Sequence, residues 1–128
     1  MIRRLGVLAC ATLLAVGAVG CSSTTVSNVA DGQVDASFAD AIVIDVRTPE
    51  EFAAGHLDGA LFYNVQDPSF EANIAALDAT ATYVVYCRSG NRSAQAIERM
   101  KAVGFTTLTD LGSLQNASDE TGIAIVQD

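Results

Sequence analysis

One stretch of the chain concentrates groups able to do chemistry: Tyr83-Val84-Val85-Tyr86-Cys87-Arg88-Ser89-Gly90-Asn91-Arg92-Ser93. Its β-branched and aromatic start predicts a strand, and the residues beyond Gly90 predict a helix. Cys87 then stands at the carboxyl end of a strand, where open α/β sheets bind their ligands. A loop entering a helix offers backbone N–H groups and the positive end of the helix dipole. Donors curled around a sulfur favour the thiolate, and Arg88 and Arg92 add positive charge on either side. Gly90 lets the loop turn tightly without a Cβ penalty. A thiolate inside an anion-binding nest is a nucleophile with an anionic substrate. Cys87 is therefore the candidate catalytic residue, and Arg88, Ser89, Gly90, Asn91, Arg92 and Ser93 are the candidate substrate-binding residues. A free Cys at a strand end can also be plain packing. The glycine and the two arginines around this one argue for chemistry.

The rest of the cysteine usage makes Cys87 more conspicuous. Arg3 and Arg4 precede an uncharged apolar run over residues 5–19, and small residues lead to Cys21. That is the three-part pattern of an export signal, and it is shorter than the ~20 apolar residues of a spanning helix. Ala18-Val19-Gly20-Cys21 resembles the lipobox of bacterial lipoproteins, with Ala at position 18 where Leu is commonest. The resemblance implies removal of residues 1–20, lipidation of Cys21 and an extracytoplasmic protein anchored to a bacterial membrane. Cys10 would leave with the signal, so Cys87 remains as the free thiol and no internal disulfide is available. Residues 21–37 are rich in Ser, Thr, Asn, Asp and Gly, which suits a flexible tether to a domain spanning residues 38–128.

The charge balance limits the partners. Seven basic residues face 15 acidic ones, for a formal net charge of −8. A general nucleic-acid binder needs a basic face, so that class is excluded. The Cys87 loop suits a small anion, and the membrane would be reached through the lipid. His56 is the only histidine, and without a second His or a Cys cluster no metal site is expected. The chemistry needs no cofactor.

Around the loop, apolar β-rich runs alternate with helix-like runs. Strands are expected over residues 41–46, 61–65, 82–86 and 106–111, and helices over 48–55, 70–77 and 92–103. Thr48, Pro49, Glu50 and Glu51 supply a cap, a first-turn proline and first-turn acids. The alternation implies an α/β fold with a mainly parallel sheet and helices on both faces.

At this point the sequence resembles the single-domain rhodaneses, a family of sulfurtransferases, over roughly residues 38–126. The landmarks are Ile42-Val43-Ile44-Asp45-Val46-Arg47 leading into Thr48-Pro49-Glu50-Glu51-Phe52, then Gly55-His56-Leu57-Asp58-Gly59-Ala60, then the Cys87 loop. The resemblance implies a five-stranded, mainly parallel sheet and double displacement through a persulfide on Cys87. It also implies scaffold roles for Asp45, Arg47 and His56. Related phosphatases on this fold use Cys-x5-Arg, whereas Arg92 gives Cys-x4-Arg here, which favours sulfur over phosphate or arsenate chemistry. Many members carry Gly-Gly-x-x-x-Trp after the last parallel strand. This chain has Gly112-Ser113-Leu114-Gln115-Asn116-Ala117, so less aromatic packing is expected at the pocket rim. The leading expectation is a sulfurtransferase moving sulfane sulfur from a thiosulfate-like donor to a thiol or cyanide. The alternative is a membrane-anchored persulfide carrier or binding module with little small-molecule turnover.

Overall fold

The computed structural model describes residues 36–128. The expected signal peptide, Cys21 and all but the last two residues of the expected tether lie outside the described residues. A short 3₁₀ turn at Ala36–Phe38 leads into β1 (Ile42–Asp45), α1 (Pro49–Ala54), β2 (His56–Leu57), β3 (Leu61–Phe62) and α2 (Phe70–Ile74). There follow β4 (Thr82–Cys87), α3 (Asn91–Ala102), β5 (Thr107–Ser113), α4 (Leu114–Thr121) and β6 (Ile125–Val126).

The central sheet is parallel throughout, in the order β3-β1-β4-β5. The fold is thus the expected α/β architecture, with four strands in the sheet among the described residues rather than five. β2 and β6 form a separate antiparallel pair, with His56 opposite Val126 and Leu57 opposite Ile125. Helix α4 was not anticipated. Ser113 Oγ caps it by accepting the Asn116 N–H, and Gln115–Asp119 and Asn116–Glu120 are hydrogen-bonded one turn apart.

β4 is buried on both faces, so its side chains alternate between two cores. Tyr83, Val85 and Cys87 pack with Phe70, Ile74, Ala96 and Met100 of α2 and α3. Val84 and Tyr86 pack on the other face with Leu57, Leu111 and Ala117. Each large side chain fully buried in this way stabilises the fold by roughly 1.5–3 kcal/mol. Ala117, where the resemblance implies an aromatic ring, is itself fully buried under the sheet. Tyr86 occupies much of that face, and its hydroxyl accepts the Leu57 N–H at 3.0 Å.

The alternation also sets where Cys87 points. Being in phase with Tyr83 and Val85, its side chain faces α3 at the C-terminal edge of the sheet. The β4–β5 register shifts at that edge: Val85 pairs with Asp110 and Tyr86 with Gly112, leaving Leu111 as the extra residue. This bulge turns Leu111 into the core, where it is 1% exposed.

Candidate active site

The loop between β4 and α3 folds around the Cys87 sulfur. Gly90 takes φ +95°, a left-handed conformation that a side chain would disfavour, and this brings its N–H to 2.9 Å from Cys87 Sγ. Ser93, in the first turn of α3, places Oγ 3.6 Å from the same sulfur. Cys87 and Ser93 are both fully buried, whereas Arg88, Ser89 and Asn91 are exposed. Burial alone would push the Cys87 thiol up. Hydrogen bonding at the sulfur, with the Ser93 hydroxyl as a neighbour and with backbone N–H groups of Ser93, Ser89 and Gly90, outweighs it and holds the thiol below its ordinary value. The loop thus favours the nucleophilic form of Cys87.

The two loop arginines have different surroundings. Arg92 is bound bidentately by Glu51, with Nη1 to Oε2 at 2.6 Å and Nη2 to Oε1 at 2.9 Å. This differs from the expectation that both arginines add positive charge beside the sulfur, because the Arg92 charge is matched by a carboxylate. Arg88 forms no ion pair among the described residues. Glu51 in turn closes a capping box on α1: Thr48 Oγ1 accepts the Glu51 N–H at 3.3 Å, and Glu51 Oε2 accepts the Thr48 N–H at 3.1 Å. The Arg92 hydrogen bond is the main reason the Glu51 carboxyl is lowered to about 2.

Asp45 and Arg47 form a buried ion pair below this clamp. Arg47 Nη2 donates to Asp45 Oδ2 at 2.6 Å and to Gly55 O at 2.5 Å, while the Arg47 N–H donates to Asp45 Oδ1 at 2.9 Å. These bonds tie the end of β1 to the end of α1, a scaffold role as expected. His56 is buried, stacked on Phe52 at 3.8 Å, and its Nδ1 lies 3.0 Å from Phe52 O. A carbonyl can only accept, so that nitrogen carries the proton, and the ring serves the turn rather than the sulfur.

A cavity of about 420 Å³ opens beside the loop, bordered by Arg88, Arg47, Glu51, Ser113, Leu114 and Ile125. That size is ordinary for a small-molecule site. Ser113 and Leu114 belong to the segment 112–117 expected at the pocket rim, and Ile125 comes from β6. Glu51 was legible only as a first-turn acid. Asp110, which receives the Ser93 hydroxyl at 2.7 Å, follows no local pattern. Among the described residues no group of three or more His, Cys, Asp or Glu is placed to hold a metal ion.

Comparison with known proteins agrees with this geometry. The chain is 33% identical over 73 residues to the thiosulfate sulfurtransferase PspE of Escherichia coli, a match covering 57% of this chain and 70% of that one. It is 37% identical over 69 residues to the thiosulfate sulfurtransferase GlpE of Pseudomonas aeruginosa, covering 54% of this chain and 61% of that one. Among solved structures, a rhodanese with anions from Escherichia coli superposes with a TM-score of 0.57 at 29% identity, covering 68% of this chain and 98% of the other. Residues 26–116 match the family model described as a rhodanese-like domain, and the chain belongs to the rhodanese family.

Proposed function

We propose that this protein is a sulfurtransferase that takes a sulfane sulfur from a thiosulfate-like anion onto Cys87 and passes it to a thiol or cyanide. The observation that carries this reading is the Gly90 N–H held 2.9 Å from a buried cysteine sulfur whose thiol lies below its ordinary value. In the first half-reaction the Cys87 thiolate attacks the outer sulfur of the donor. The donor's S–S bond breaks, sulfite leaves with the electron pair, and Cys87 carries a persulfide. In the second, the acceptor attacks the outer sulfur and the electron pair returns to Cys87 Sγ. The loop N–H groups stabilise the negative sulfur at each stage, and Arg88 beside the cavity attracts the anionic donor. The names of the relatives, thiosulfate sulfurtransferases, support the same donor class.

The reading includes extracytoplasmic attachment to a bacterial membrane through lipid on Cys21. Its support is the basic start, the apolar run and Ala18-Val19-Gly20-Cys21. Lipoprotein maturation adds more than one acyl chain, enough for stable anchoring.

A steady-state assay with thiosulfate and cyanide tests the chemistry. Wild-type protein should form thiocyanate and Cys87→Ser should form none. Equal turnover by the two proteins would overturn the reading. Cys21→Ala should release the protein from membranes or leave it unprocessed, and unchanged fractionation would overturn the anchoring.

A further inference from the structure

The Ser93 hydroxyl has one proton and three acceptors within reach. Its Oγ lies 2.7 Å from Asp110 Oδ1, 3.0 Å from Gly90 O and 3.6 Å from Cys87 Sγ. A hydroxyl donates only once. The carboxylate is both nearest and charged, and a charge-assisted hydrogen bond is roughly twice as strong as a neutral one. With the proton on the Asp110 side, the lone pairs of Ser93 face the sulfur. They suit a thiol S–H but give nothing to a thiolate. Ser93 lowers the Cys87 thiol only while its proton points the other way.

Asp110 is held in this position from a second side. Its Oδ1 also accepts the Gly112 N–H at 2.9 Å, across the bulge that buries Leu111. Asp110 itself is exposed, so a solvent-facing carboxylate reaches a buried sulfur through a single hydroxyl. The other charged groups around Cys87 are matched or displaced: Arg92 with Glu51 from α3 and α1, Asp45 with Arg47 from β1, and exposed Arg88 in the loop.

Resting on the sulfurtransferase reading, we propose that Asp110 is a positioning residue that holds the Ser93 proton and so withholds one hydrogen-bond donor from the Cys87 thiolate. The consequence falls on both half-reactions. Cys87 is the nucleophile when sulfur is loaded and the leaving group when the acceptor attacks the outer sulfur. A better-stabilised thiolate leaves faster but attacks more slowly. By withholding the donor, Asp110 favours loading and slows release, so the persulfide persists until a strong acceptor arrives.

The test follows alkylation of Cys87 by iodoacetamide, a neutral reagent, against pH in the full chain, read by mass on the Cys87 peptide. Asp110→Asn keeps an acceptor for the Gly112 N–H while removing the charge. It should lower the apparent pKa of Cys87 by about one unit, the scale of one hydrogen bond to a charged group. In a Ser93→Ala background the same substitution should shift it by less than about a third of that, because the hydroxyl that carries the coupling is gone. Release of sulfur from preloaded protein to a thiol acceptor should quicken about threefold in Asp110→Asn. No shift or an upward shift with Asp110→Asn would overturn the proposal. So would an equal shift in both backgrounds, which would make Asp110 a bare charge acting through space. The alkylation profile needs no sulfur donor. Failure to load sulfur would therefore strike the sulfurtransferase reading, and an unmoved profile would strike the role of Asp110.

Discussion

At its α3 end the Cys87 loop is clamped, because Arg92 holds Glu51 through two hydrogen bonds and Glu51 caps α1. At its β4 end the loop is open: Arg88 is exposed beside the cavity, with no ion pair among the described residues. Two arginines four positions apart therefore do different physical jobs. A planar bidentate pair fixes backbone geometry, whereas an exposed cation attracts an anion through a field that salt screens. The Gly90 N–H is thus held on the sulfur next to a clamped helix start, while the cavity opens beside the exposed arginine.

The comparison breaks most visibly if the clamp is removed. Arg92→Ala leaves a partly buried Glu51 without its partner and should cost roughly 1–3 kcal/mol of stability in denaturant unfolding. With the loop loosened, kcat/KM for thiosulfate should fall about tenfold or more, by the same factor at low and high ionic strength. A salt-dependent loss with unchanged stability would mean that Arg92 steers substrate after all. A smaller effect is expected at the open end. Arg88→Ala should raise KM for thiosulfate about three- to tenfold with little change in kcat, and stability should stay within about 0.5 kcal/mol. Added salt should narrow the gap to wild type, and a neutral donor should be largely indifferent.

The smallest effect is a pH dependence of the clamp. The Glu51 carboxyl is lowered from 4.5 to about 2, chiefly by the hydrogen bond from Arg92. A folded-state value below the unfolded one gives stability that is complete above the unfolded value and is lost as pH falls through the folded one. The pair's contribution should therefore fade between pH 4.5 and about 2. Partial exposure screens it to about 1 kcal/mol. Urea unfolding of wild type against Glu51→Gln should converge across that window, and parallel curves would remove Glu51 from the account.

What the sequence discloses depends on how far apart the interacting residues lie. Cys87, Gly90 and Ser93 act within one strand-loop-helix unit, and their types and spacing alone point to a sulfur nucleophile. The Thr48 cap and Pro49 at the start of α1 are equally local. The Arg92–Glu51 pair spans 41 positions and the Ser93–Asp110 bond spans 17, so neither leaves a periodic or motif signal. Asp110 reaches Ser93 beside a register shift between two strands, which no run of β-propensity encodes. Helix α4 was missed for a related reason. Its face is made by Ala117 and Thr121, too small and too polar to show an apolar stripe, yet both are fully buried. The β2–β6 pair joins two-residue strands, too short for alternation to register.

The central claim is that Cys87 carries sulfur, and intact-mass analysis of the protein after incubation with thiosulfate tests it most directly. The account predicts a gain of one sulfur atom, located on the Cys87 peptide, removed by a reducing thiol and absent from Cys87→Ser. An unmodified Cys87 after exposure to several sulfane donors, in protein whose Cys87 still alkylates readily, would contradict it.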